Sequence, residues 1–216
     1  LAGRYATNEA DTKYAADSLL QALRRDPNEP EVVQRAFIAT LLDGRSEAAR
    51  LARVIPNEPL AAMLLAGQDA QAGRYERAEQ RFRSLPNQGL AALLKPLLVA
   101  WAQQGRGQTD AALATLRPLT ESGRQRGIYA LHGAMIADIA DRPRDAERLV
   151  RVALADSATP NLGLTRTMAG ILMRAGQPAE AEALLDRLGR GQDDAGLFAD
   201  TGGRSLGHAP RGGFRD

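Results

Sequence analysis

A short joint recurs along the chain at a nearly constant spacing, and this repetition limits the possible folds more than any other feature. The stretch at 72–82 reads AGRYERAEQRF, and the stretch at 175–185 reads AGQPAEAEALL. In both, an alanine stands five positions after the glycine. Equivalent alanines recur every 29–35 residues, at Ala15, Ala49, Ala78, Ala112, Ala146 and Ala181. A period of this length predicts a stack of short supersecondary units.

The position five residues before each alanine marks a predicted turn. Four of the six residues there are glycine, which adopts the left-handed conformation at a helix end most easily. The six positions are Ala10, Gly44, Gly73, Gly107, Asp141 and Gly176. Apolar residues recur at helical spacing between these turns, which predicts antiparallel pairs of helices of about 12–14 residues. Pro96 and Pro118 lie inside such patterns, so their helices are expected to be kinked or shortened.

The composition agrees with a helical fold. Aromatic residues make up only 4% of the chain, while alanine and leucine, both strong helix formers, are abundant. β-Branched residues, which favour strands, are sparse. Small residues at the helix crossings would let the two helices of a pair approach closely. The sequence therefore predicts an all-α protein.

These repeats resemble the tetratricopeptide repeat (TPR) family. The first segment carries the resemblance at Gly3, Ala15, Leu19, Ala22 and the closing turn Asp26-Pro27. The third repeat is similar at GRYERAEQRF, with Tyr75 and Phe82 in the aromatic positions. The resemblance implies a right-handed superhelical solenoid of about six antiparallel helix pairs, the first incomplete. The large aromatic residue that the family places near the start of its first helix is absent throughout.

The resemblance covers residues 1–188, which we expect to form one array of repeats. From residue 189 to 216 the composition changes to a Gly/Arg-rich stretch without a helical pattern, which predicts a disordered tail. The chain begins without Met on LAGRYATNEA, which looks like the middle of a helix. We therefore expect that a segment once preceded it.

Residues suited to catalysis or metal binding form no recognisable constellation. The chain has no cysteine, and its histidines are His132 and His208, neither at a spacing typical of a metal site. We therefore expect a non-enzymatic protein with no cofactor, no metal and no small-molecule substrate. The longest apolar run, at 90–102, is too short to span a bilayer.

In the TPR family the first helix of each pair lines a concave groove. Carrying that phase onto this chain predicts partner-binding residues at Gln34, Ile38, Met63, Leu131, Met135, Asp138, Arg166 and Met173. The methionines could instead pack between repeats, and Trp101 could be a groove anchor or a core residue. The resemblance implies a scaffold that binds a partner peptide or helix in this groove.

Two other functions stay open. A nucleic-acid-binding helical repeat is one, because arginines at 45, 50, 53, 74, 77, 81 and 83 could form a basic strip. The net charge of +2 and the apolar groove make nucleic acid a less suitable partner. A docking module of a larger envelope-assembly protein or enzyme is the other. The near-absence of lysine is typical of a GC-rich bacterial genome. Many bacterial proteins that these repeats resemble are exported, so the resemblance favours the periplasm over the cytoplasm as the location of this chain.

Overall fold

The computed structural model describes residues 2–27, 29–156, 162–187 and 189, with side chains from residue 11 onward. Every regular element among these residues is a helix. The helices are α1 (Ala2–Arg25), α2 (Pro30–Leu42), α3 (Glu47–Ala52), α4 (Pro59–Gln71), α5 (Tyr75–Arg83), α6 (Gly89–Gly105), α7 (Thr109–Glu121), α8 (Arg126–Ile139), α9 (Pro143–Asp156) and α10 (Leu162–Arg174). A further helix, α11, covers 178–187. The predicted all-α class is confirmed, whereas the predicted tail lies outside the described residues apart from Gly189.

Helices that follow one another in the sequence pack against one another. The chain divides into two compact units, Leu1–Leu116 and Arg117–Asp216. In the first unit each helix from α1 to α5 packs on the next, and α4 also contacts α6. In the second unit α8 packs on α9, α9 packs on α10, and α8 also contacts α10. The predicted pairing of neighbouring helices is therefore present in both units.

Five of the six predicted turns adopt one geometry. Gly44, Gly73, Gly107 and Gly176 have φ between 68° and 82°, and Asp141 has φ of 55°. In each, the amide of the following residue donates to the carbonyl five residues earlier, at 2.8–2.9 Å. This bond and the left-handed residue define a Schellman motif, which satisfies the last carbonyls of the helix. The recurring joint is thus a helix stop followed by a new helix.

The sixth predicted turn, at Ala10, is wrong. Helix α1 runs without a break from Ala2 to Arg25. No glycine or proline occurs between Arg4 and Arg25, and a left-handed alanine would be strained. The chain therefore continues the helix instead of turning, and α1 replaces the predicted first pair.

The alanine column is confirmed in four repeats and displaced in two. Ala78, Ala112, Ala146 and Ala181 are at most 1% exposed. In the second repeat Ala48 is buried and Ala49 is not. The amide of Ala48 donates to the carbonyl three residues earlier, so α3 begins with a tighter 3₁₀ turn. This turn places the buried alanine one residue earlier in the sequence. In α1 the buried residue is Ala16 instead of Ala15, since no turn resets the register there.

The internal prolines do not shorten their helices. Pro96 lies within α6 and Pro118 within α7, and both helices continue for several residues beyond them. Each proline removes one backbone donor, yet the buried side chains of these helices hold them in place. Leu97 and Val99 in α6 and Leu116 in α7 are at most 5% exposed. Packing therefore keeps both helices from ending at proline, and the predicted kink stays a prediction.

Candidate partner-binding surfaces

An open cavity of about 650 Å³ lies between α1 and α2 in the first compact unit. Most of its lining is apolar, with Leu19 contributed by α1 and Ile38 and Leu42 by α2. Leu42 is the last residue of its helix and is 70% exposed. A cavity of this volume with an apolar lining has the size of a typical ligand pocket.

Two of the predicted groove residues line this cavity. Gln34 is exposed, and Ile38 is half-buried because part of its side chain packs on the core around Phe37. Leu42 was missed by the sequence reasoning, although it lies four residues after Ile38 on the same helical face. For Leu19 the repeat pattern predicts only a packing role in the first repeat. The helix contacts bring these side chains together across α1 and α2.

Met63 is half-buried on α4. Its side chain packs against a core cluster that contains Ala66, Ala78 and Phe82. The predicted packing role of Met63 is therefore present, and its role in partner binding stays a prediction.

In the second compact unit the predicted residues lie on α8 and α10, which contact each other. Leu131 is 8% exposed and belongs to the core. Met135 is half-buried on the same helix. On α10, Arg166 is exposed and Met173 is 52% exposed. Met173 therefore presents the largest accessible apolar surface of these predicted residues in the second unit.

The carboxylate of Asp138 is occupied by a side chain that the sequence reasoning missed. Arg174 on α10 donates from Nε to Oδ1 at 2.9 Å and from Nη2 to Oδ2 at 2.8 Å. These hydrogen bonds raise the pKa of Arg174. The two residues lie 36 positions apart, close to one repeat, so opposite charges about one repeat apart were the available signal. The pair joins α8 to α10.

A second carboxylate links α5 to α6 in the first unit and reaches α7 through Gln103. Glu79 on α5 accepts hydrogen bonds from Arg83 Nη2 at 2.8 Å, Gln103 Nε2 at 3.0 Å and Arg106 Nη1 at 2.8 Å. The Oε1 of Gln103 in turn accepts from Thr115 Oγ1 at 2.8 Å. Burial raises the pKa of Glu79, but the hydrogen bonds from Arg83, Arg106 and Gln103 outweigh it and hold that pKa below its ordinary value.

The remaining titratable candidate is His132 in α8. The side chain is half-buried, and this burial lowers the pKa of His132. In the part of the chain that the structure describes, no three histidine or carboxylate side chains are placed to hold a metal ion together. Among the same residues, no helix has the length and apolar character needed to cross a membrane.

The sequence matches no model of a known protein family and no curated protein. Among solved structures, the chain is similar to the crystal structure of BtubC (BKLC) from P. vanneervenii, with a TM-score of 0.54. The two sequences are 15% identical, and the match covers 96% of this chain and 94% of that chain. At this identity the similarity bears on the all-α fold alone, because one fold serves many functions.

Proposed function

We propose that this chain is a TPR-like, non-enzymatic scaffold that binds an apolar segment of a partner protein. The observation that supports the proposal most strongly is the cavity between α1 and α2. Its lining includes Leu19, Ile38 and Leu42. Because Leu42 is exposed beside this open cavity, its apolar surface can be buried by a side chain of the partner. Burial of apolar area is worth about 25 cal/mol per Å².

The chemistry of the lining indicates the kind of segment that fits. An amphipathic peptide, helical or extended, can place apolar side chains against Leu19, Ile38 and Leu42 and keep its polar side toward water. Gln34 and Arg35, which also line the cavity, can bond to the backbone or polar groups of the peptide at the rim. Such an arrangement of an apolar centre with a polar rim is typical of protein interfaces.

Selection of peptides from a random displayed library against the full chain tests this proposal. A selected peptide is then synthesised, and its Kd is measured by fluorescence anisotropy for the wild type and for Leu42→Glu. We expect the peptide to contain apolar residues at helical or alternating spacing. We also expect the variant to bind at least about tenfold more weakly, which corresponds to about 1.4 kcal/mol.

Val54→Glu is the matched control. Val54 is 62% exposed and lies in the same compact unit, but it lines a different cavity. The control introduces the same charge and should leave the Kd unchanged. Equal binding by wild type and Leu42→Glu, or equal losses in both variants, would contradict the proposal.

A further inference from the structure

A separate cavity of the first compact unit is lined by four arginines and a single carboxylate. It has a volume of about 320 Å³ and lies beside the end of α3, α4 and α5. The charged residues are Arg53, Asp69, Arg74, Arg77 and Arg81. No residue of this lining also lines the cavity between α1 and α2. Its function can therefore be tested independently of the partner-binding proposal.

Asp69 forms the base of this arginine cavity and is only 5% exposed. Its Oδ1 accepts a hydrogen bond from Arg74 Nε at 2.9 Å. The Nε atoms of Arg81 and Arg77 lie 3.0 Å and 3.4 Å from Oδ2. Oδ2 nevertheless accepts no hydrogen bond from any described residue, so these N–H groups are not directed at it. One carboxylate thus faces four positive charges, and two of the nearest guanidinium groups keep donors available.

The helical spacing of the arginines explains how they meet. Arg74 precedes the first residue of α5, and Arg77 and Arg81 follow at intervals of three and four, which places all three on one face of the helix. Their side chains are 53%, 59% and 34% exposed. Like charges at these spacings repel one another. Asp69 offsets only one of the positive charges in the lining, and an anion bound among the arginines would reduce the repulsion that is left.

We infer that the arginine cavity binds a phosphate group. The planar guanidinium fork matches the oxygens of phosphate, and the hydrogen bonds are strengthened by charge. A phosphate monoester carries between one and two negative charges at neutral pH, so it offsets the excess of positive charge better than a second carboxylate. Its three or more oxygens can also accept hydrogen bonds from arginine side chains that lie on different sides of the cavity. The phosphate is either the free ion or the terminal group of a monoester.

Isothermal titration calorimetry of the full chain with inorganic phosphate, at fixed ionic strength, tests this inference. We expect saturable binding to the wild type and a loss of at least about tenfold in affinity for Arg77→Gln and for Arg81→Gln. Arg50→Gln is the matched control, because Arg50 is exposed on α3 and lines another cavity. It should bind like the wild type. Circular dichroism of each variant verifies that the helices are retained.

Asp69→Asn provides the sharper comparison. Removing the internal carboxylate leaves four unopposed guanidinium groups, so we expect phosphate to bind more tightly to this variant than to the wild type.

Titration of the wild type with phenyl phosphate distinguishes a phosphate monoester from the free phosphate ion as the ligand. Binding equal to or tighter than that of inorganic phosphate indicates a monoester, and weaker binding indicates the free ion. Binding no stronger than that of acetate at the same ionic strength, no loss in the Arg77 and Arg81 variants, or weaker binding by Asp69→Asn would each overturn the inference.

Discussion

Replacement of Glu79 by alanine should lower the free energy of unfolding by about 2–5 kcal/mol. Glu79 is 7% exposed, and its carboxylate accepts hydrogen bonds from three side chains on α5 and α6 and in the turn that follows α6. Its removal leaves the Nε2 donor of Gln103, a residue only 5% exposed, without its acceptor. The loss should therefore weaken the packing of α5 on α6.

The magnitude follows from the exposure of each partner. The side chains of Arg83 and Arg106 are 56% and 31% exposed. Solvent screening therefore limits their ion pairs to roughly 0.5–1 kcal/mol each. An unsatisfied buried donor at Gln103 costs about 1–3 kcal/mol. Glu79→Gln retains one accepting oxygen and the side-chain volume, so we expect a smaller cost of about 1–2 kcal/mol.

The pH dependence has a definite sign. Since the folded pKa of Glu79 lies below its ordinary value, the ionised side chain stabilises the folded state above the unfolded pKa of about 4.3. That contribution is lost as the pH falls through the folded pKa. The difference in stability between the wild type and Glu79→Gln should therefore be largest near neutral pH and should shrink in acid.

Urea unfolding followed by circular dichroism measures these differences. Glu76→Ala is the control, because Glu76 is exposed on the same helix, and it should change the free energy of unfolding by no more than about 0.5 kcal/mol. The reasoning is refuted if Glu79→Ala is as stable as Glu76→Ala, or if the difference between wild type and Glu79→Gln grows as the pH is lowered.

Three further sets of variants test the joints and the core by the same unfolding assay. Gly176→Ala should destabilise by about 1–2 kcal/mol, because alanine is strained at positive φ, whereas Asp141→Gly should be neutral or slightly stabilising; the same sign for both would contradict the shared turn geometry. Gly105→Ala should destabilise, because the added Cβ would overlap the ring of Tyr75, and Tyr75→Ala should recover part of the loss in the double variant. Phe37→Ala should cost about 3–5 kcal/mol, because Phe37 is completely buried; a cost below that of an exposed substitution would be inconsistent with the core.

The turns are the part of the fold that sequence reasoning predicts best, because the conformation of a glycine at a helix end depends on local chemistry. Gly44, Gly73, Gly107 and Gly176 adopt it, and so does Asp141. Local reasoning fails where no local signal exists. Ala10 has neither glycine nor proline nearby, so α1 continues through it. The shift from Ala49 to Ala48 depends on a 3₁₀ turn that residue spacing does not reveal.

The candidate surfaces are less predictable, because they depend on which side chains meet across helices. The groove-facing phase that the TPR resemblance implies predicts Gln34 and Ile38, and both line the cavity between α1 and α2. The same phase selected Asp138 without its partner Arg174, which comes from another helix. The sequence predicts a strip that includes Arg74, Arg77 and Arg81, but their convergence on Asp69 depends on the packing of α4 against α5. The role of the predicted groove residues in binding stays a prediction.

The most direct test of partner binding is an amide chemical-shift map of the full chain with the selected peptide. The account predicts the largest shifts in the stretches that line the cavity, 11–19 on α1 and 34–42 on α2, and their loss in Leu42→Glu. It also predicts little change over 74–81, which belongs to the arginine cavity. Shifts confined to residues outside these two stretches, or a map unchanged by Leu42→Glu, would contradict the claim that the cavity between α1 and α2 receives the partner.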